Sequence, residues 1–326
     1  MTDTPPTATP EPTKPRPENW ERDVIERLAS AALVEQRRAR RWGIFFKMFF
    51  AGYLLLLLLL ALGGDMGPKA VGGRHTALVD LDGAIMADSL ANADNVITGL
   101  RAAFDNRAAA GVILRVNSPG GSPVHAGYIY DEIRRLRAKH PDTPLYAVVT
   151  DICASGCYYA VAAANKIYAD RASIVGSIGV LMNGVGFTDT MKKLGVERRL
   201  LTAGEHKGIL DPFSPMKPLD RRHAQDMLNR IHAQFIAKVR EGRGEALKET
   251  RDMFSGLFWT GEQAKEMGLV DELGSAGYVA REVIAAEDIV DYTYRENFVD
   301  RFARRLGSGM AHTLGAEILN RAPLLR

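Results

Sequence analysis

A chain of 326 residues, 46% of them hydrophobic, can bury one large core or two smaller ones. A formal net charge of +3 is too small to imply a nucleic-acid partner. The two cysteines, Cys153 and Cys157, give neither a disulfide framework nor a zinc-type spacing, and no G-x-x-x-x-G-K-[ST] or G-x-G-x-x-G signature occurs, so no metal, nucleotide or other cofactor is expected.

The first 17 residues are rich in Pro and Thr, a composition that predicts disorder. Residues 20–41 read as a highly charged helix, which makes residues 1–41 a separate tail. WGIFFKMFFAGYLLLLLLLAL occupies 42–62, long enough for a bilayer, which takes roughly 20 apolar residues. Its one charge, Lys47, lies near the start and can snorkel to the interface. Arg37, Arg38, Arg40 and Arg41 precede the span, and only Lys69 and Arg74 come soon after it. The positive-inside rule therefore puts the N-terminus in the cytoplasm and everything after Leu62 outside. A cleaved signal peptide ending near Ala61-Leu62-Gly63 is the alternative, and the long segment before the apolar run argues against it.

Residues 63–74 form a Gly-rich linker. HTALVDLDGAI (75–85) alternates and reads as a first strand, and 89–106 as a helix. AGVILRV (110–116) is a continuous apolar run, the kind found in a strand covered on both faces, and it ends in NSPGGS (117–122). A helix over 124–140 leads to a second buried strand, LYAVVT (145–150), which ends in DICASG (151–156). Short strands are expected at 166–169 and 178–187, a helix at 188–194 and a strand at 197–202. The irregular stretch AGEHKGILDPFSPMKP comes next, then a long helix over 219–241 and another with Thr260 as N-cap. Apolar residues recur every four positions at the C-terminus (Phe298, Phe302, Leu306, Met310, Leu314, Ile318). This predicts an amphipathic helix or helix pair over 291–326 that packs on its own core or a neighbouring subunit.

Alternating strands and helices with buried strands indicate an α/β domain over 75–290 with a mainly parallel sheet. Loops at the carboxyl ends of such strands line the site. NSPGGS and DICASG end consecutive strands, so they are expected to be neighbours.

Ser155 lies between Ala154 and Gly156, ahead of the helix-forming YYAVAAA run. Small neighbours let backbone approach the hydroxyl, and a helix N-terminus offers free N–H groups and the positive dipole end. An N-cap serine at a tight turn is the plainer reading. A serine nucleophile needs a base. Of the seven histidines, His140, His223 and His232 sit in charged helical contexts, and His125, after the Gly-Gly loop, and His206, in the irregular stretch, are the candidates. Lys207 is the other: its loop has low charge density, Gly204, Gly208 and Ile209-Leu210 flank it, and the Pro212-Phe213-Ser214-Pro215 run stiffens the chain on its C-terminal side. A lysine base acts neutral, which requires burial.

ASGCYYAVAAANKIYADRASIVGSIGV, the upstream NSPGGS and the downstream HKGILDPFSPM together resemble the signal peptide peptidase A family, also called protease IV. The resemblance runs from about His75 to Ala286, with the three blocks in family order. It implies a Ser-Lys serine peptidase with a Clp protease/crotonase-like fold, in the short form with one catalytic domain that assembles as a homo-oligomeric ring. It also implies a single-pass bacterial inner-membrane protein with its catalytic domain on the extracytoplasmic side, acting on cleaved signal peptides and other membrane-derived or misfolded segments.

Carried over by position, Ser155 matches the nucleophile, Lys207 the general base and Ser177 a hydroxyl that holds the lysine. Gly120 and Gly121 match the oxyanion loop, with the N–H of Gly156 as second donor. Tyr158, Leu181, Met182 and Phe213 are the guesses for an apolar specificity pocket. Cys153 and Cys157 stand where the family usually has small or apolar residues. They are expected as buried thiols, with a disulfide stiffening the nucleophile loop as the alternative. Two rival readings are a crotonase-like acyl-CoA enzyme and a non-catalytic membrane scaffold.

Overall fold

The sheet at the centre of the larger unit is apolar on both faces because both faces are covered. In the computed structural model, which describes residues 20–63 and 73–295, strands β1 (His75–Asp82), β2 (Ala109–Ser118) and β3 (Leu145–Ala154) run parallel side by side. Ala77, Val79 and Leu81, Val112, Leu114 and Val116, and Ala147 and Val149 join one large core with residues of α2 (Ala93–Asp105) and α3 (Pro123–Lys139). Leu78, Ile113 and Val148, which alternate with them, pack with Tyr168, Val279, Ala280 and Ile284 in a second cluster. Residues 1–19 of the expected 1–41 tail, most of the linker and residues 296–326 of the expected C-terminal amphipathic segment lie outside the described residues.

Beyond β3 the sheet forks. The first half of β3 pairs with β4 (Lys166–Ala169), while Ile152, Cys153 and Ala154 pair with β5 (Ile174–Gly176). The fork separates two parallel neighbours and aims the carboxyl end of β3 at β5. β6 (Phe258–Thr260) closes this side antiparallel to β5, β7 (Glu272–Leu273) adds to β4, and β8 (Ile289–Asp291) adds to β1. The result is an α/β domain with a mostly parallel sheet and flanking helices, consistent with the Clp protease/crotonase-like expectation.

Helix ends obey their local chemistry. Asn92 and Ser122 cap α2 and α3 through their side chains. Thr260 caps α7 (Gly261–Glu266) in a reciprocal capping box with Gln263, as its position ahead of the helix foretold. The long α6 (Pro218–Arg243) buries Phe235 and Val239, and its last residue, Arg243, is held inside by Gly268 O at 3.0 Å and Asp271 at 2.9 Å.

Three expectations are corrected. Residues 178–187 and 197–202 are not strands: of this stretch only α5 (Thr188–Leu194) is regular, although Val185, Phe187, Leu200 and Leu201 have strand-forming side chains. No other strand of the described chain lies alongside to pair with them. Cys153 and Cys157 are not free thiols; they form a disulfide with Cα atoms 5.2 Å apart. The positive φ of Ser155 folds the chain between them back on itself, which brings the two β-carbons together.

Residues 20–63 form a unit of their own: one continuous helix, α1 (Trp20–Gly63), with a window over Ile25–Leu58 long and apolar enough to cross a membrane. The charged segment and the apolar span were expected as two pieces. They are one helix because no proline and no glycine pair interrupts the stretch.

Candidate active site

Ser155 sits where β3 ends and the six-residue α4 (Gly156–Val161) begins. Its backbone has φ 53° and ψ −122°, a region that costs a non-glycine residue on the order of 1–3 kcal/mol and persists only when its surroundings fix it. It occupies the N-cap position, yet its side chain accepts no capping hydrogen bond, so the hydroxyl is not consumed by the helix end.

The surroundings that fix it come from three loops. Ser155 N donates to Gly176 O at 2.8 Å, and Ser155 O accepts from Tyr159 N at 3.0 Å. Gly120 lies against the other side, where a β-carbon would stand 2.6 Å from Ala154 O, 2.7 Å from Gly156 N and 2.8 Å from Ser155 Cβ. With φ +97° as well, this position admits only glycine. Gly121 is tied down through Ile85: Ile85 N donates to Gly120 O and Ser122 N to Ile85 O, both at 2.8 Å. The position of a Gly156 β-carbon is 3.2 Å from Gly121 N, so the amides of Gly121 and Gly156 lie close together beside the serine. Neither donates to a backbone carbonyl among the described residues. Two neighbouring N–H groups that donate to no backbone carbonyl, next to an unconsumed hydroxyl, supply the donors that an acyl-transfer oxyanion requires.

Ser177 is brought to the same place by register. Ala154 pairs with Gly176 across β3 and β5, so Ser155 and Ser177 leave the sheet side by side. Ser177 also has positive φ, 50°, and its N–H is fixed to Leu257 O at 2.7 Å. Its hydroxyl has no hydrogen-bond partner among the described residues. Ile85, Gly176 and Leu257 are the supports that sequence reasoning missed; only Gly176, the glycine that opens GSIG, carried any signal.

Lys207 lies apart. Its N–H donates to Gly204 O at 3.1 Å within a turn, its side chain is exposed, and Nζ donates to no protein atom among the described residues. The segment after it is ordered by Asp211, whose carboxylate accepts from Ser214 Oγ at 2.7 Å and from Phe213 N at 3.4 Å. The Ser214 hydroxyl, with Phe213 N–H and Arg198, holds that carboxyl below the usual range. None of residues 179–219 is buried.

Of the histidine candidates, one is engaged in a backbone contact and the other is exposed. His125 Nδ1 accepts from Ala93 N at 3.1 Å, which joins the start of α3 to the start of α2, and His206 is exposed beside Glu205 at 3.9 Å. Of the pocket guesses, Tyr158 is corrected. It is fully buried, its hydroxyl donates to Leu269 O at 2.8 Å, and that burial pushes the phenol well up, so it lines no open pocket. Leu181 and Met182 are exposed, and Phe213 stacks on Phe187 at 5.5 Å.

A sequence profile of peptidase family S49 matches residues 137–289, which take in Ser155, Ser177 and Lys207. A protein of Synechocystis named as a protease is 30% identical over 202 residues, 62% of this chain and 70% of that one. The chain belongs to peptidase family S49. Its S49 relatives include an Enterococcus faecium protein named as the signal peptide peptidase SppA, 31% identical over 183 residues, 56% of this chain and 53% of that one. A Brucella melitensis protein named Na(+)/H(+) antiporter NhaA is 44% identical over 205 residues, 60% of this chain but 27% of that protein. The chain thus spans about a quarter of that relative's length, and about half of the Enterococcus protein's.

Proposed function

We propose that the protein is a membrane-anchored serine endopeptidase that uses Ser155 as nucleophile and Lys207 as general base. The observation that carries this reading is the backbone conformation of Ser155, strained and uncapped, with the Gly121 and Gly156 amides beside it. An extended peptide would pair backbone to backbone beside residues 117–122. Neutral Lys207 takes the proton from Ser155 Oγ as it attacks the scissile carbonyl, and the tetrahedral oxyanion accepts hydrogen bonds from the glycine amides. Lys207 then protonates the leaving amine, and water hydrolyses the acyl-enzyme. Ser177 receives a hydrogen bond from the lysine amine and orients it. Substrates such as cleaved signal peptides fit the name of the Enterococcus relative.

A neutral lysine requires a dry surround. Lys207 is exposed in the single chain, and Leu181, Leu194 and Leu201 of the same segment are 82%, 72% and 97% exposed. A second copy of the chain docked on this segment would cover both, which supports a ring in which one subunit's Lys207 serves another's Ser155. The disulfide supports a catalytic domain outside the cytoplasm, where such bonds persist, in line with the arginines that precede the apolar span.

Cleavage of a short fluorogenic peptide with an apolar residue before the scissile bond tests the reading. Full activity is expected from the intact chain, and none above background from Ser155→Ala or from Lys207→Ala at neutral pH. Undiminished cleavage by either variant would end the Ser-Lys assignment.

A further inference from the structure

The only two cysteines of the chain bracket the nucleophile, two residues before it and two after. Cys153 belongs to the end of β3, paired in register with Ser118 on one side and Val175 on the other. Cys157 is the second residue of α4. The bond between them closes a small ring over Ala154, Ser155 and Gly156, which are the residue before the nucleophile, the nucleophile and one oxyanion donor.

Those three residues need an external restraint. A helix of six residues is too short to hold its own first turn, since isolated helices are marginal below roughly 12–15 residues. The φ of 53° at Ser155 is unfavourable for a side chain with a β-carbon, so the loop left alone relaxes towards an extended or helical backbone. Against this stand hydrogen bonds from Ser155 N to Gly176 O and from Tyr159 N to Ser155 O, the contact with Gly120, and the disulfide. Of these, only the disulfide is covalent and joins the strand end directly to the helix start. Both cysteines are fully buried in the main core, so once formed the bond is shielded from reductants.

We propose that the Cys153–Cys157 disulfide is a positioning element for catalysis: it locks Ser155 and the Gly156 amide in their working geometry, and so sets the nucleophile only after the domain enters an oxidising compartment. The bond forms by thiol–disulfide exchange with a protein disulfide oxidant. One cysteine thiolate attacks the oxidant's disulfide and releases one of its sulfurs as a thiolate. The second cysteine thiolate then displaces the oxidant from the mixed disulfide. The two thiols give up two protons and two electrons, and the oxidant leaves as a dithiol. The inference rests on the assignment of Ser155 as nucleophile.

The test uses the full chain in detergent or lipid nanodiscs. Wild type, Cys153→Ala/Cys157→Ala and Ser155→Ala are compared for peptide cleavage, with thermal melts and with thiol counting after denaturation. The expected result is no free thiol in active wild type, and a double variant that melts cooperatively with KM within threefold of wild type and kcat at least tenfold lower. Unaltered kcat in the folded double variant overturns the proposal, as do two free thiols in fully active wild type. If the double variant does not fold, the unmutated chain synthesised with and without a glutathione redox buffer decides. A folded dithiol form with low kcat, restored by oxidation, supports the lock. A dithiol form that is fully active, or that does not fold at all, overturns it. Activity in Ser155→Ala would instead strike at the nucleophile assignment, so the two failures are told apart.

Discussion

The Ser155 side and the Lys207 side of this domain are built in opposite ways. Around Ser155 nearly every backbone tie is made within the chain: Gly176 O holds its N–H, Gly120 packs against its β-carbon, Ile85 pins the glycine loop, and a disulfide spans it. Residues 179–219, which carry Lys207, leave the core after Ile178 and return at α6 without burying one side chain, although they hold Leu181, Leu194, Leu201 and Met216. The difference teaches where the missing packing energy must come from. Exposed apolar side chains gathered in one segment mark an interaction surface. The proposed dyad would join a Ser155 held firmly within one chain to a Lys207 brought by a second copy.

The Ser155 side, held by these ties, should be the less forgiving of the two. Gly120→Ala would push a methyl group into Ala154 O and Gly156 N at a φ of +97°. It should lower kcat/KM by at least 10²-fold, the scale of losing one oxyanion donor. Steady-state kinetics on the purified chain checks this, and a change below threefold would mean that the close approach is not needed.

The lysine side should instead fail by losing its partner. Leu201→Glu places a charge on a side chain that is 97% exposed in the single chain. It should shift the protein to smaller assemblies in light scattering and lower activity about tenfold or more. The melting temperature measured under dissociating conditions should change by less than ~2 °C. An unchanged assembly size would leave this segment without its proposed role.

The smallest expected effect lies at an ion-pair cluster between α2 and α3. Glu132 on α3 receives hydrogen bonds from Arg135 and Arg101, and these guanidinium groups hold its carboxyl down at about 2, from an ordinary value of 4.5. Because the folded value is depressed, this stabilisation is fully present above about pH 4.5 and is lost as pH falls towards 2. With both arginines half exposed, it amounts to on the order of 2 kcal/mol. Glu132→Gln should flatten the melting temperature against pH across that window and leave the peptide KM unchanged at neutral pH.

The parallel core was legible because both faces of β2 and β3 are covered, and continuous apolar runs such as AGVILRV say so directly. The NSPGGS and DICASG blocks pointed to neighbouring loops because they end consecutive strands. What misled was the stretch after Ile178. Its Val, Leu and Phe residues have the pattern of strands, but pattern reports a tendency to be buried, and in one chain nothing buries them. β5, β6 and β8, at three residues each, were too short to leave a periodic signal. The disulfide was illegible because a spacing of four looks helical, while the bend that unites the cysteines comes from one positive φ at Ser155.

Mixing two inactive proteins tests the central claim most directly. Ser155→Ala and Lys207→Ala chains, each assembled alone, should cleave nothing. Dissociated, combined and reassembled, they should recover a measurable fraction of wild-type peptidase activity, because some sites would pair an intact Ser155 with an intact Lys207 from another subunit. Recovery of none, in mixed assemblies shown by mass to contain both chains, would contradict a dyad shared between copies.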